Sequence, residues 1–296
     1  MPASPPFPSG HDRAAIVSSL RAAGCVFAED EAQLLISAAR TPAELAALVD
    51  RRARGQPLEH VLGWAEFCGL RIAVDPGVFI PRRRTEFLVR QATALARAAA
   101  APAGAAHARQ TRPGPAPAGQ AAAQPRVVVV DLCCGSGAVG AALAAALDRV
   151  ELHAADVDPA AVRCARRNVA AAGGQVYQGD LYDPLPARLR GRVDLLAANV
   201  PYVPTEEIGL LPPEARVHEP RVALDGGPDG LDLLRRVTAA APAWLAPGGH
   251  LLAETSERQA AHAAGVVAGG GLVARVARSA ELNATVVIGT RPVHPG

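Results

Sequence analysis

The sequence predicts an α/β protein: a doubly wound, seven-stranded, mostly parallel sheet with a small helical N-terminal domain ahead of it. Three observations carry this. From residue 126 onward, short β-branched or apolar runs alternate with Ala-rich helical segments, the rhythm of strand–helix–strand units. Residues 126–131 (Arg-Val-Val-Val-Val-Asp) form an unbroken β-branched run, as expected of a central parallel strand covered on both faces. Before residue 54 the period is helical throughout.

Taken in order, residues 14–20, 31–39 and 43–49 carry apolar residues at helical spacing, and Thr41-Pro42 supplies an N-cap and a first-turn proline for the third helix. Residues 1–56 are therefore expected to form a helical domain. Residues 57–99 change character, with possible extended pieces over 67–74, a turn at Asp75-Pro76-Gly77 and a helix over 85–99. Residues 100–125 are almost all Ala, Pro, Gly, Arg and Gln. Without large apolar groups such a segment cannot offset its ordering entropy, so it reads as a flexible linker. Residues 126–296 then supply strands at 126–131, 151–156, 175–177, 193–198, 250–253 and 285–288, with helices at 138–147, 159–172 and 231–245. Pro247-Gly248-Gly249 reads as a stop signal after the last helix.

Composition narrows the function. Half of the 296 residues are apolar, enough for a full α/β domain and a smaller companion. The basic residues are all Arg, which reads as coding bias. The net charge of +2 is spread without a concentrated basic face, which argues against a nucleic-acid partner. The five cysteines (Cys25, Cys68, Cys133, Cys134 and Cys164) are odd in number and match no zinc spacing. They fit reduced thiols in a cytoplasmic protein. The histidines are scattered, which gives metal chemistry no support, and no apolar stretch reaches the roughly 18 residues of a membrane span.

The first candidate site is Asp131-Leu132-Cys133-Cys134-Gly135-Ser136-Gly137, which follows a buried strand and opens a helix. Small residues there let the backbone approach a ligand and present amides at the helix start. The next strand ends in Asp156, about twenty residues after the glycines, where a carboxylate can accept from ribose hydroxyls. Asp158 is placed to cap the following helix. Gly135 to Gly140 also satisfies the dinucleotide pattern G-x-G-x-x-G, so loop and acid alone fit a nucleoside cofactor of either kind.

The second candidate site is Asn199-Val200-Pro201-Tyr202, at the carboxyl end of the strand over 193–198. Ligands in open α/β sheets bind beyond these strand ends. An amide nitrogen is a poor nucleophile because its lone pair is delocalised. Two acceptors, the Asn199 side-chain oxygen and the Val200 carbonyl, could fix both its hydrogens and aim it. Pro201 stiffens the turn, and Tyr202 offers a flat face against a planar group and a developing positive charge.

Asn199 to Tyr202 resembles the Asn-Pro-Pro-Tyr signature of amino-group methyltransferases. Around it, the chain resembles the peptide-chain-release-factor glutamine N5-methyltransferases. Pro57-Leu58-Glu59-His60-Val61-Leu62-Gly63, Pro81-Arg82-Arg83-Arg84-Thr85-Glu86, the segment from Glu219 to Leu231, and Pro247-Gly248-Gly249 with Glu254 and Gln259 all resemble segments of that family. The resemblance implies a Rossmann-like methyltransferase fold, S-adenosyl-L-methionine as methyl donor and a release factor as protein substrate. It implies cofactor contacts from Asp131, Cys133, Cys134, Gly135, Ser136, Gly137, Asp156, Asp180, Leu181 and Asn199, with Asn199, Val200, Pro201 and Tyr202 holding the acceptor glutamine. Arg82 and Glu86 are either site residues or a salt bridge and a helix-start charge. A monomer is expected.

The sequence departs from the pattern in three places: Cys133-Cys134 stand for Gly-Thr, Val200 for Pro, and Arg83-Arg84 for a Pro and an acid. Three other functions are open at this point. A nucleic-acid amino methyltransferase would need a basic channel or a base-flipping platform. A nicotinamide dehydrogenase would need an acid–base group for hydride chemistry. A silent cofactor-fold binding protein would need neither.

Overall fold

The computed structural model describes residues 10–100 and 126–293, so the linker expected over 100–125 lies, but for its first residue, outside the described residues. The N-terminal helices are α1 (Gly10–Ala22), α2 (Ala28–Ala38) and α3 (Pro42–Ala53). Thr41 caps α3 as expected, its hydroxyl accepting from the Glu44 N–H, with Pro42 in the first turn. Leu20, Ala28, Ala32 and Leu35 form the centre of a separate small core that Val61 completes.

Residues 57–100 differ in part from expectation. Leu58–Leu62 is a short helix, α4, closed by Gly63 in the left-handed conformation (φ 79°). The extended stretch divides into an antiparallel hairpin, β1 (Trp64–Phe67) and β2 (Leu70–Ala73). Cys68 and Gly69 both take positive φ in its two-residue turn, the geometry that matches strand twist. The turn at Asp75 forms, with the Val78 N–H donating to the Asp75 carbonyl. A single 3-10 turn at Arg83–Thr85 leads into α5 (Glu86–Ala100), whose buried stripe includes Leu88, Ala92 and Ala96.

The main domain runs β3 (Val127–Leu132), α6 (Ala138–Ala146), β4 (Val150–Asp156), α7 (Pro159–Val169), β5 (Gln175–Gln178) and β6 (Val193–Ala198). It continues with α8 (Pro213–His218), α9 (Asp232–Trp244), β7 (Leu245–Thr255), α10 (Ala260–Gly269), β8 (Val273–Ser279) and β9 (Ala284–Thr290). The sheet has seven strands in the order β5-β4-β3-β6-β7-β9-β8, with β9 antiparallel to both neighbours and the other pairings parallel. Helices α5, α6 and α7 cover one face, and α9 and α10 the other. The apolar runs thus become the middle layer of two cores, one holding Val129, Leu195 and Leu252, the other Val130, Leu196 and Leu251.

Pro247-Gly248-Gly249 differs from its expected role. Helix α9 has already ended at Trp244, and the glycines sit in the first residues of β7, where its register against β6 shifts. A Cβ on Gly249 would lie 2.6 Å from the Val193 carbonyl, so strand contact selects glycine here. No described helix is long and apolar enough to cross a membrane.

The strand order already weighs on function. A dinucleotide-binding sheet ends in a sixth parallel strand. Here that edge is an antiparallel hairpin, with β9 inserted beside β7. The G-x-G-x-x-G match therefore loses the topology that would give it meaning for a dehydrogenase.

Candidate active site

Strand order reverses at β3, which lies between β4 and β6. A crevice forms beyond the carboxyl ends of these strands, and a cavity of about 570 Å³ occupies it. Asp131 and Cys133 to Ser136 of the glycine loop, Asp156, Asp180-Leu181 and Asn199 to Tyr202 line this one cavity. Of the loop residues named from sequence, Leu132 and Gly137 stand behind the wall, Leu132 in the core and Gly137 closing the loop onto α7. A Cβ there would meet Ala165 at 3.0 Å.

The loop is built by two carboxylates. Asp131 is buried at the end of β3, and its Oδ2 accepts from the Gly140 N–H at 2.8 Å. It holds the start of α6 in place, and its neighbour Gly140 leaves room for it. Desolvation pushes the Asp131 carboxyl up to about 7. Asp156 Oδ2 accepts from the Gly135 N–H at 2.8 Å and Oδ1 from the Asp158 N–H at 2.9 Å. Each oxygen has a second lone pair and the residue lines the cavity, so the acid both sets the loop and can receive a ligand hydroxyl. Asp158 caps α7, accepting from the Ala160 N–H at 2.8 Å. Cys133 (φ 52°) and Gly135 (φ 54°) turn the chain through left-handed conformations, strained for Cys133. Burial pushes both thiols up, so Cys133 and Cys134 remain protonated small side chains, and all five cysteines are unbridged.

A folded-state carboxyl raised by burial binds protons that the unfolded chain has released, so Asp131 makes stability fall as pH rises from about 4 to about 7. Asp131→Asn removes that slope. The stability difference between the variant and the parent is expected to move in the variant's favour across this window, measured by urea unfolding at several pH values. A constant difference would show that Asp131 ionises normally.

At the acceptor end, Asn199 is half-buried and Val200 and Pro201 are buried. Among the described residues nothing is hydrogen-bonded to the Asn199 carboxamide or to the Val200 carbonyl. The Tyr202 carbonyl, two residues further on, is occupied. The Gln259 Nε2 donates to the Tyr202 carbonyl at 3.0 Å and to the Asp229 carbonyl at 2.9 Å, and the Ser256 hydroxyl donates to the Gln259 Oε1 at 2.6 Å. Gly230 packs against the same place, a Cβ there lying 2.3 Å from the Tyr202 carbonyl. The segment from Glu219 to Leu231 therefore backs the tetrapeptide at Asp229 and Gly230, while Glu219, Pro220 and Val222 to Leu224 line the same cavity.

The Tyr202 hydroxyl donates to the Glu254 Oε1 at 2.8 Å, and burial keeps the phenol protonated. The Arg82 Nη2 donates to both carboxylate oxygens of Glu219, each at 2.7 Å, and the Ile80 N–H donates to the same carboxylate. The salt-bridge alternative for Arg82 is thus realised at the cavity wall. Glu86 is not in the cavity; its carboxylate accepts from the Cys68 N–H at 3.1 Å, under the hairpin. Asp180 pairs with Arg236 at 2.7 Å, while Leu181 is buried with φ 48°.

Several contributors went unread in the sequence. Phe79 and Ile80 line the cavity, Phe79 beside Gly135 of the glycine loop. Asn168, on α7, accepts from the Ala73 N–H and donates to the Ala73 and Ser136 carbonyls, tying the hairpin to the loop. An Asn inside a helical pattern gives no sign of this. Phe79 and Ile80 adjoin the motif that opens at Pro81, which was the available signal.

A mostly parallel sheet with an antiparallel edge, a glycine loop facing an acid, and an Asn-x-Pro-Tyr turn in the same crevice define a methyltransferase. Residues 120–210 match the family model described as "Methyltransferase small domain". A release factor glutamine methyltransferase of Geobacter sulfurreducens is 41% identical over 224 residues, covering 74% of this chain and 68% of that protein. The chain belongs to the release factor glutamine methyltransferase family. A 4-amino-L-phenylalanine/4-methylamino-L-phenylalanine methyltransferase of Streptomyces pristinaespiralis is 36% identical, covering 72% of this chain and 65% of that protein. Among solved structures, a ribosomal protein L11 methylase from Lactobacillus delbrueckii subsp. bulgaricus aligns at 15% identity with a TM-score of 0.47, over 75% of this chain and 85% of that one.

Proposed function

We propose that the protein transfers a methyl group from S-adenosyl-L-methionine to the side-chain amide nitrogen of a glutamine in a peptide chain release factor. The observation that carries this is the pair of unengaged acceptors, the Asn199 side-chain oxygen and the Val200 carbonyl, in the same cavity as the glycine loop and Asp156. The residues present fit the cofactor. Asp156 keeps free lone pairs for ribose hydroxyls, residues 133–136 bring backbone close to the cavity, and Asp180 and Leu181 suit an adenine edge.

When bound, the donor supplies an electrophilic sulfonium methyl. The protein's part is to hold the amide: Asn199 Oδ1 and the Val200 carbonyl each accept one N–H, which fixes the plane of the acceptor and aims its nitrogen. Pro201, buried and without an N–H, keeps that turn rigid, and the Gln259 contact holds the Tyr202 carbonyl. Tyr202 stacks its face on the planar group and favours positive charge near the nitrogen. The proton leaves after transfer, so no general base is needed.

The helices before residue 54 are proposed to dock the protein substrate. The turn between α1 and α2 exposes Phe27 (68%) and Val26 (82%) as apolar contact area, and the Arg52–Glu214 ion pair of 2.7 Å joins the helices to the rim of the cavity. A free aromatic amine is the second candidate acceptor, because one relative's name specifies such an amino acid. Labelled methyl donor offered with release factor, 4-amino-L-phenylalanine or RNA separates these. Label in the release factor is expected; label in the amino acid or RNA alone would replace the proposal.

A further inference from the structure

Glu254 is the penultimate residue of β7 and is buried at the acceptor end of the cavity. Its carboxylate gathers three groups from two distant parts of the chain. Oε1 accepts from the Tyr202 hydroxyl and from the Arg84 Nε, both at 2.8 Å, and Oε2 accepts from the Thr85 hydroxyl at 2.6 Å. The Arg84 guanidinium carbon lies 5.9 Å from the Tyr202 ring centroid. All four residues line the cavity. A buried carboxylate with one cationic partner and two hydroxyl donors has its charge stabilised where it stands.

The charge has a use. Arg84, held by Glu254, brings a full positive charge beside the tyrosine ring. Left alone, that charge would oppose any cationic group bound against the ring. We propose that Glu254 is a positioning residue for methyl transfer: its carboxylate fixes the Tyr202 ring and cancels the charge of Arg84, keeping the acceptor end of the cavity permissive for a cation. This rests on the methyl-transfer function above, in which a positive charge is present throughout, first on sulfur and then on the acceptor nitrogen. A hydroxyl donating to a carboxylate also makes the ring more electron-rich, which strengthens its attraction for a cation.

The test compares two ligands that differ in charge, cationic S-adenosylmethionine and neutral S-adenosylhomocysteine, by calorimetry on the full chain. Glu254→Gln keeps the shape and an acceptor oxygen but removes the charge. It is expected to weaken the cationic ligand about fivefold, the order expected of one partly screened charge, and the neutral ligand less than about twofold. Adding Arg84→Met should restore the cationic ligand to within about twofold of the parent. Arg84→Met alone, which covers the case in which Glu254→Gln does not fold, should shift the ratio the opposite way, in favour of the cation. Equal losses for both ligands, no change in either, or no opposite shift in Arg84→Met would overturn the proposal. Failure of the parent protein to bind either ligand would instead remove the methyl-transfer function on which it rests.

Discussion

Replacing Asn199 with Ala is expected to lower methyl transfer by about 10²–10³-fold, the usual effect of losing one preorganised polar contact to a reacting group. Affinity for S-adenosylmethionine should stay within about twofold. The Asn199 carboxamide is engaged by no described residue, so its removal breaks no internal bond. The loop and Asp156, which are to hold the donor, are built from β3, β4 and α6 and do not lean on it. The loss should fall on kcat, because the contact matters for aiming the nitrogen rather than for holding the donor. Single-turnover transfer and a separate binding measurement check this. Loss of donor affinity with transfer per bound donor unchanged would mean that Asn199 serves the cofactor and not the acceptor.

The second large effect is on stability. Arg82→Met leaves the Glu219 carboxylate, whose side chain is 0% exposed, with only the Ile80 N–H as partner. Removing one member of a buried pair costs about 3 kcal/mol, because the remaining charge stays desolvated. Burial already raises the Glu219 carboxyl, and loss of the arginine raises it further. A carboxyl raised in the folded state destabilises above its unfolded pKa and ceases to do so as pH falls below that value. The deficit of Arg82→Met is therefore expected to shrink between pH 8 and pH 5 in denaturant unfolding. A deficit that does not vary with pH would assign Arg82 to packing alone.

How legible these features were differs by their physics. The central strands announced themselves: residues 127–132 and 193–198 are buried on both faces, and only continuous apolar runs satisfy that. Strand β8 (Val-Ala-Arg-Val-Ala-Arg-Ser) was not legible, because it is the sheet's exposed edge and carries arginines that blunt further pairing. Helix α10 was hidden too. It buries Ala260, Ala263 and Val267, and so many of its residues are small that it shows little periodic contrast. Asp131, Asp156 and Asn199 could be singled out because each ends a predicted strand, where side chains must face the crevice. Glu219, Glu254, Asn168 and Gln259 act through partners 30 to 170 residues away, and no local pattern encodes such a contact. Glu254 and Gln259 entered through resemblance alone, and the structure supplies what they touch.

The most direct test of the central claim is to incubate the protein with isotopically labelled S-adenosylmethionine and a release factor, then locate the methyl group by tandem mass spectrometry. The account predicts a single methyl on a glutamine side-chain nitrogen, lost in Asn199→Ala. A methyl found on any other atom of the release factor, or transfer that survives in Asn199→Ala, would contradict it.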